Sequence, residues 1–266
     1  MDSKSRDFDK YYTKRNIATD CSNTIKSLIC ISDFFWIEPS AGSGNFLFDY
    51  VDIAYDLLPE SDNIIQGDWL KTPNPNIPYA LLGNPPFGKR NLLSKAFIQK
   101  SANDFNCKYI CFILPEVYNK HTLQKIFPLN WKLIHSNKLP SNSFTLDDND
   151  YHVPCVFQIW ARDSELPNLR AIERKVFENK HFTICKKEHA DLFVLGASIS
   201  TVKDLNEVTI NNRGYYLKTN LLTKHELKRN IQSIKWKGLS SASGGVAWLT
   251  KTEFINQYEE VFNECK

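Results

Sequence analysis

Phe34-Phe35-Trp36-Ile37-Glu38-Pro39-Ser40-Ala41-Gly42-Ser43-Gly44-Asn45-Phe46 is an apolar run that enters a Gly-x-Gly turn. Such a run reads as a buried parallel strand whose carboxyl end opens onto a ligand crevice. Gly42 and Gly44 allow close backbone approach, and a helix starting there would favour an anionic group. The third glycine of a dinucleotide fingerprint is missing. Glu38, a carboxylate just before the turn, argues against a phosphate ligand and suits a cation such as an α-ammonium group.

Val51-Asp52-Ile53-Ala54-Tyr55-Asp56 reads as a second strand with an acid at its end, placed to take ribose hydroxyls. Asp56 follows Gly44 by 12 residues, which leaves room for a helix of about two turns at most. Asn63-Ile64-Ile65-Gln66-Gly67-Asp68-Trp69 reads as a third strand. Asp68 could accept from an adenine amino group, with Trp69 or Leu70 against the ring. Tyr79-Ala80-Leu81-Leu82-Gly83 then runs into Asn84-Pro85-Pro86-Phe87. The prolines lack N–H groups and stiffen the chain, so the Pro85 carbonyl is free of ladder pairing. With the Asn84 amide oxygen it makes two acceptors, and Phe87 adds a stacking face. Two acceptors and an aromatic face suit a planar group bearing –NH2.

Tyr11-Tyr12-Thr13, the Glu38–Gly44 segment, Asp56, Asp68 and Asn84–Phe87 together resemble successive motifs of S-adenosylmethionine-dependent N6-adenine methyltransferases. Their order resembles the gamma class of DNA methyltransferases, over roughly residues 8–162. The resemblance implies a Rossmann-like, mostly parallel class I methyltransferase sheet with an antiparallel edge strand. It implies S-adenosyl-L-methionine as cofactor, with Tyr12, Thr13, Glu38, Pro39, Ser40, Ala41, Gly42, Gly44, Asp56, Asp68, Trp69 and Asn84 around it. Asn84, Pro85, Pro86 and Phe87 carry the chemistry. The implied partner is nucleic acid, DNA first, as in restriction-modification. RNA adenine methyltransferases of the rRNA and cap types share Asn-Pro-Pro-Phe and stay open. A protein glutamine methyltransferase presents a similar amide, although Tyr is more usual there at the last position.

Alternating strand and helix patterns predict a doubly wound α/β sheet over residues 1–162, with helices at 16–30, 92–104 and 122–127. Residues 163–266 form a smaller α+β appendage, a candidate target-recognition region. Thr223-Lys224-His225-Glu226 and Thr250-Lys251-Thr252-Glu253 fit capping boxes that start two helices, the second placing Phe254, Tyr258 and Val261 on one face. The polar stretch 139–151 carries Phe144, which the resemblance puts against the extruded base, with Tyr151 behind it. Further on, Arg213 in Asn211–Lys218 and the Ser240–Gly245 stretch could touch nucleic acid, or be solvated turns.

The 266 residues hold 42% hydrophobic and 13% aromatic residues, enough for a real core. With 33 basic and 30 acidic residues the net charge is only +3, so any basic surface is local. The seven cysteines and six histidines show no ligand spacing, and no metal is expected. The charged Met1–Asp7 segment lacks the apolar core of a signal peptide, and no run approaches a membrane span. The expectation is a soluble cytoplasmic protein.

Overall fold

The computed structural model describes residues 11–146, 149–171, 178–237 and 249–262. Backbone contacts divide the chain into two compact units, Met1–Ala171 and Ile172–Lys266. Residues 163–171 are tied into the first of them. Leu169 N donates to Leu133 O at 2.7 Å, Arg170 Nη2 to Pro128 O at 2.7 Å and Ala171 N to Gln124 Oε1 at 2.7 Å.

In the first unit β1 (Tyr12–Thr13) leads into α1 (Arg15–Leu28). The buried residues Ile17, Ala18, Cys21, Ser22 and Ile25 recur on that helix at the spacing of one face. There follow β2 (Phe35–Glu38), β3 (Ile53–Asp56), β4 (Ile65–Gln66), β5 (Tyr79–Gly83), α2 (Leu92–Ala102) and β6 (Cys107–Pro115). Next come α3 (His121–Gln124), β7 (Trp131–Lys138), β8 (Phe144–Leu146), β9 (Asn149–Tyr151) and β10 (Cys155–Arg162).

Seven of these strands form one sheet in the order β4-β3-β2-β5-β6-β10-β7. The pairs β2–β3, β2–β5, β3–β4 and β5–β6 are parallel, whereas β10 is antiparallel to both β6 and β7. This is a mostly parallel, Rossmann-like sheet. The antiparallel strand sits one place in from the edge, not at the edge itself, because β7 pairs on its outer side.

Side chains alternate between two cores, as the pleat demands. Trp36, Leu82, Ile113 and Phe157 pack on one face with Ile17 and Ile25 of α1. Ile37, Leu81, Phe112 and Trp160 pack on the other with Phe97 and Ile98 of α2. All five residues of β5 are buried, as expected for a strand covered on both faces. A separate three-stranded sheet, β1-β8-β9, holds the entry to α1 against the paired strands β8 and β9.

The second unit contains β11 (Phe182–Cys185), β12 (Leu192–Leu195), β13 (Ser198–Asp204), β14 (Gly214–Thr219), α4 (Lys224–Ser233) and α5 (Lys251–Phe262). Its four strands make an antiparallel sheet, β11-β14-β12-β13. Both capping boxes form: Thr223 with Glu226, and Thr250 N donating to Glu253 Oε2 at 2.7 Å while Glu253 N returns to Thr250 Oγ1. Phe254 and Tyr258 are buried as expected, but Val261 is exposed and Ile255 takes the third buried place. The register is shifted because the buried arc follows positions 254, 255 and 258.

Candidate active site

From β2 the chain steps to β3 and β4 on one side, and β5 returns on the other side of β2. A crevice therefore opens at the carboxyl ends of these strands, the usual ligand position in such sheets. A cavity of about 270 Å³ lies there, walled by β1 and by the loops that follow β2, β3, β4 and β5. Most of the expected cofactor residues share that wall: Tyr12 and Thr13 from β1, Pro39, Ser40, Ala41 and Gly42 after β2, Asp56 at the end of β3, and Asp68 with Trp69 after β4. Asn84, Pro85 and Pro86 complete it from the loop after β5.

The segment after Gly44 forms turns, not the short helix that its length allows. Gly42 and Gly44 both take positive φ, +54° and +86°, where glycine has no steric cost. Beyond them Phe46 enters the core, and Phe48 stacks on Tyr50 with ring centres 5.8 Å apart. Anchoring aromatics two residues apart suits an extended or turning backbone and not a helical face. With no helix here, no helix terminus is present to attract an anion. Instead the loop's own N–H groups turn toward a carboxylate: Gly42 N donates to Asp56 Oδ2 at 2.8 Å.

Asp56 thus works on the protein as well as on the cavity, since its Oδ1 accepts from Leu58 N at 2.9 Å. Each oxygen keeps a second lone pair for a hydroxyl. Asp68 is arranged similarly, with Oδ1 taking Leu70 N at 3.0 Å and Oδ2 lying 3.3 Å from Lys71 Nζ.

Glu38 is fully buried and lies behind the wall. Its Oε1 accepts from Ser40 N at 3.1 Å, and its Oε2 has no hydrogen-bond partner. Burial pushes its carboxyl well above the ordinary carboxylate range, the Ser40 N–H opposes this, and Asp56 adds to the rise. A cation brought near would favour the ionised form. Asn84 has the same signature, a buried Oδ1 with no partner, while its backbone oxygen accepts from Ser40 Oγ at 3.4 Å. Thr13 Oγ1 and Trp69 Nε1 of the same wall are also buried and unpaired, as are side-chain atoms of Asn74, Ser101, Arg170 and Asn179 away from it.

The expected base-stacking residues fall differently. Phe144 is wholly buried in the core, with no exposed face for a base. Its ring meets the edge of Tyr11 at 5.3 Å, and Tyr11 meets Phe87 at 5.5 Å and Tyr151 at 5.6 Å. Tyr11 is the member of this group on the cavity wall; Phe87, 7% exposed, stands behind it, and Tyr151 is exposed. Gly44 is also off the wall. Arg213 is an exposed residue of the second unit, whose carbonyl accepts from Gly196 N at 2.9 Å. The Ser240–Gly245 stretch lies outside the described residues.

Several wall residues had no separate signal in the sequence. Leu57, Leu58 and Glu60 follow β3 and line the cavity. Tyr12 Oη donates to the Glu60 carboxylate. Phe46, Leu93 and Phe97 add apolar surface. The pair Leu57-Leu58, about half exposed directly after a strand-ending acid, is the one pattern that could have flagged them.

Among the described residues no cluster of His, Cys, Asp or Glu could hold a metal ion, and no helix is long and apolar enough to cross a membrane. Cys21, Cys107, Cys111 and Cys155 are buried, and burial pushes their thiols up, away from the reactive thiolate.

No protein-family model matches the sequence, and no curated protein is significantly similar to it. Among solved structures the chain is similar to a modification subunit of a putative type I restriction enzyme from Vibrio vulnificus YJ016. There the identity is 13% and the TM-score 0.42, over 58% of this chain and 45% of that one. The chain therefore spans less than half the length of that subunit. It is also similar to the 23S rRNA methyltransferase ErmE, at 11% identity and TM-score 0.44, over 94% of this chain and 98% of that one.

Proposed function

We propose that the protein is an S-adenosylmethionine-dependent methyltransferase that modifies the N6 amino group of adenine in nucleic acid, with DNA as the first substrate to test. The observation that carries this reading is the partnerless, buried Oδ1 of Asn84, a residue that lines the cavity together with Pro85. An exocyclic amine would supply the donor that this acceptor lacks.

The cavity residues fit the cofactor. The volume of about 270 Å³ falls just short of the roughly 300 Å³ at which pockets for molecules of this size begin. Asp56 offers lone pairs to a diol, Leu57, Leu58 and Trp69 offer apolar surface to a purine, and the partnerless Glu38 oxygen would be satisfied by a nearby ammonium group. When bound, S-adenosylmethionine supplies a methyl group activated by sulfonium charge. The chain's part is positional. Asn84 Oδ1 and the Pro85 carbonyl accept the two amine hydrogens, which draws the nitrogen lone pair out of conjugation with the ring and holds it toward the methyl group. Rigid Pro85 and Pro86 hold the acceptors without reorganisation. No strong general base is required, because the amine proton becomes acidic only as the N–C bond forms. A paired adenine cannot reach such a cavity, so the base must be unpaired or turned out of the helix.

The test is incubation with methyl-labelled cofactor and separate DNA, RNA and protein substrates, followed by digestion and identification of the labelled product. N6-methyladenine from either polymer supports the reading, and the polymer that carries it names the substrate. Label on glutamine, or on no substrate while cofactor binds, would overturn it.

A further inference from the structure

The cavity is charge-polarised along the sheet. Asp56, Glu60 and Asp68 line it on the β3–β4 side. On the β5 side the chain leaves Phe87 through Gly88-Lys89-Arg90-Asn91-Leu92-Leu93, a tight turn in which Asn91 N donates to Gly88 O and Leu93 N to Phe87 O. Gly88, Arg90 and Asn91 all have positive φ, at 66°, 56° and 60°, so the segment is bent sharply straight after the Asn84–Phe87 motif. Lys89 and Arg90 are exposed, and neither makes an ion pair among the described residues. Leu93 folds against Gly88, where an added Cβ would come within 2.8 Å of its Cγ, and it lines the cavity. Leu92 and Leu93 remain 62% and 41% exposed. Two unpaired cations and two exposed leucines therefore stand beside the amine-accepting end of the cavity, opposite its acidic end.

We infer that the Lys89–Leu93 turn is a nucleic-acid contact that brackets the target nucleotide. Lys89 and Arg90 hold the phosphates next to it, and the leucines cover the sugar and the neighbouring base. The inference rests on the proposed action on nucleic acid and adds where the strand crosses the catalytic unit. A polyanion approaches from the β5 side because the acids after β3 and β4 repel it from the other. The cations act as positioning residues: they touch phosphates, not the reacting atoms. Being exposed, they can be replaced without disturbing the core.

The test compares the full chain with Lys89→Ala/Arg90→Gly, with the charge-preserving Lys89→Arg/Arg90→Lys, and with Lys132→Ala near the amino end of β7, the end of the sheet away from the cavity. Binding to an adenine-containing oligonucleotide is measured across a salt series, cofactor binding by calorimetry, and methyl transfer to both the oligonucleotide and the uncharged nucleoside adenosine. For the first variant the expected result is a Kd about tenfold higher. The plot of log affinity against log salt should flatten by about 1.4 to 1.8, the release expected for two lost phosphate contacts. Cofactor affinity and any transfer to adenosine should hold, and the two other variants should match the wild type. An unchanged Kd and salt slope, with normal wild-type binding, would overturn this inference alone. A wild-type chain that binds no oligonucleotide at any salt concentration would overturn the nucleic-acid reading as well.

Discussion

Gly83 and Glu38 lie so close across neighbouring strands that a Cβ on Gly83 would sit 2.2 Å from both carboxylate oxygens of Glu38. Gly83 also has a φ of +141°, a region other residues rarely adopt. The last residue of β5 thus leaves the space that the buried carboxylate fills. Gly83→Ala is expected to destabilise the ligand-free protein by at least about 1–3 kcal/mol from backbone strain alone, and to displace Glu38. Urea denaturation checks this; a midpoint equal to the wild type would show that the pocket around Glu38 yields freely.

Glu38 should make stability depend on pH. Its carboxyl is held above its unfolded value by burial, so its contribution is full at low pH. That contribution declines as pH rises through the ordinary carboxylate range toward the folded value. Glu38→Gln cannot titrate. Relative to that variant, the ligand-free wild type should therefore be more stable near pH 4 than near pH 7. Parallel stability curves from pH 4 to 8 would refute it.

Asn84→Ala removes one of the two proposed amine acceptors. Turnover should fall by about two to four orders of magnitude, in the range for loss of one preorganised polar group, while cofactor affinity changes far less. Single-turnover kinetics beside calorimetry separates the two effects, and near-wild-type turnover would dismiss Asn84 from the chemistry.

Asp56→Ala should act on binding. It removes the acceptor for Gly42 N and Leu58 N as well as the proposed diol contact. A loss of roughly tenfold to a hundredfold in cofactor affinity is expected for a charged hydrogen bond. Calorimetry with unchanged affinity would place the ribose elsewhere.

Phe144→Ala should be a folding defect. The ring is fully buried, and truncating it should cost about 3–5 kcal/mol. Tyr11→Ala should be milder in stability yet lower the effect of base binding on the emission of a fluorescent adenine analogue. The opposite pattern would return the stacking role to Phe144.

The strands were legible because buried parallel strands are written as unbroken apolar runs, as in Tyr79–Gly83, and because acids or amides follow them at Glu38, Asp56, Asp68 and Asn84. The turn after Gly44 was not, since Phe46, Phe48 and Tyr50 act through packing on distant elements, which spacing from Gly44 to Asp56 cannot report. Phe144 was misplaced for a related reason. A polar loop with one aromatic looks like a presented side chain, yet pairing of β8 with β1 turns that ring inward and leaves Tyr11 on the wall. The Leu57–Glu60 wall carried no motif because apolar contact to a ligand needs surface and no particular spacing.

The insertion of β10 between β6 and β7 has a consequence for synthesis. Ribosomal output is directional, so Cys107–Pro115, a strand whose last six residues are all buried in the finished sheet, exists for some time with one side open. Its partner, Cys155–Arg162, emerges about forty residues later and must then slot between β6 and β7, pairing with both. Until that moment the nascent chain carries an adhesive apolar edge of the kind that recruits chaperones or neighbouring chains. A ribosomal pause between residues 115 and 155 is therefore expected to lower the yield of intact protein more than a pause after residue 162, which in vitro translation with pauses placed at either point would check.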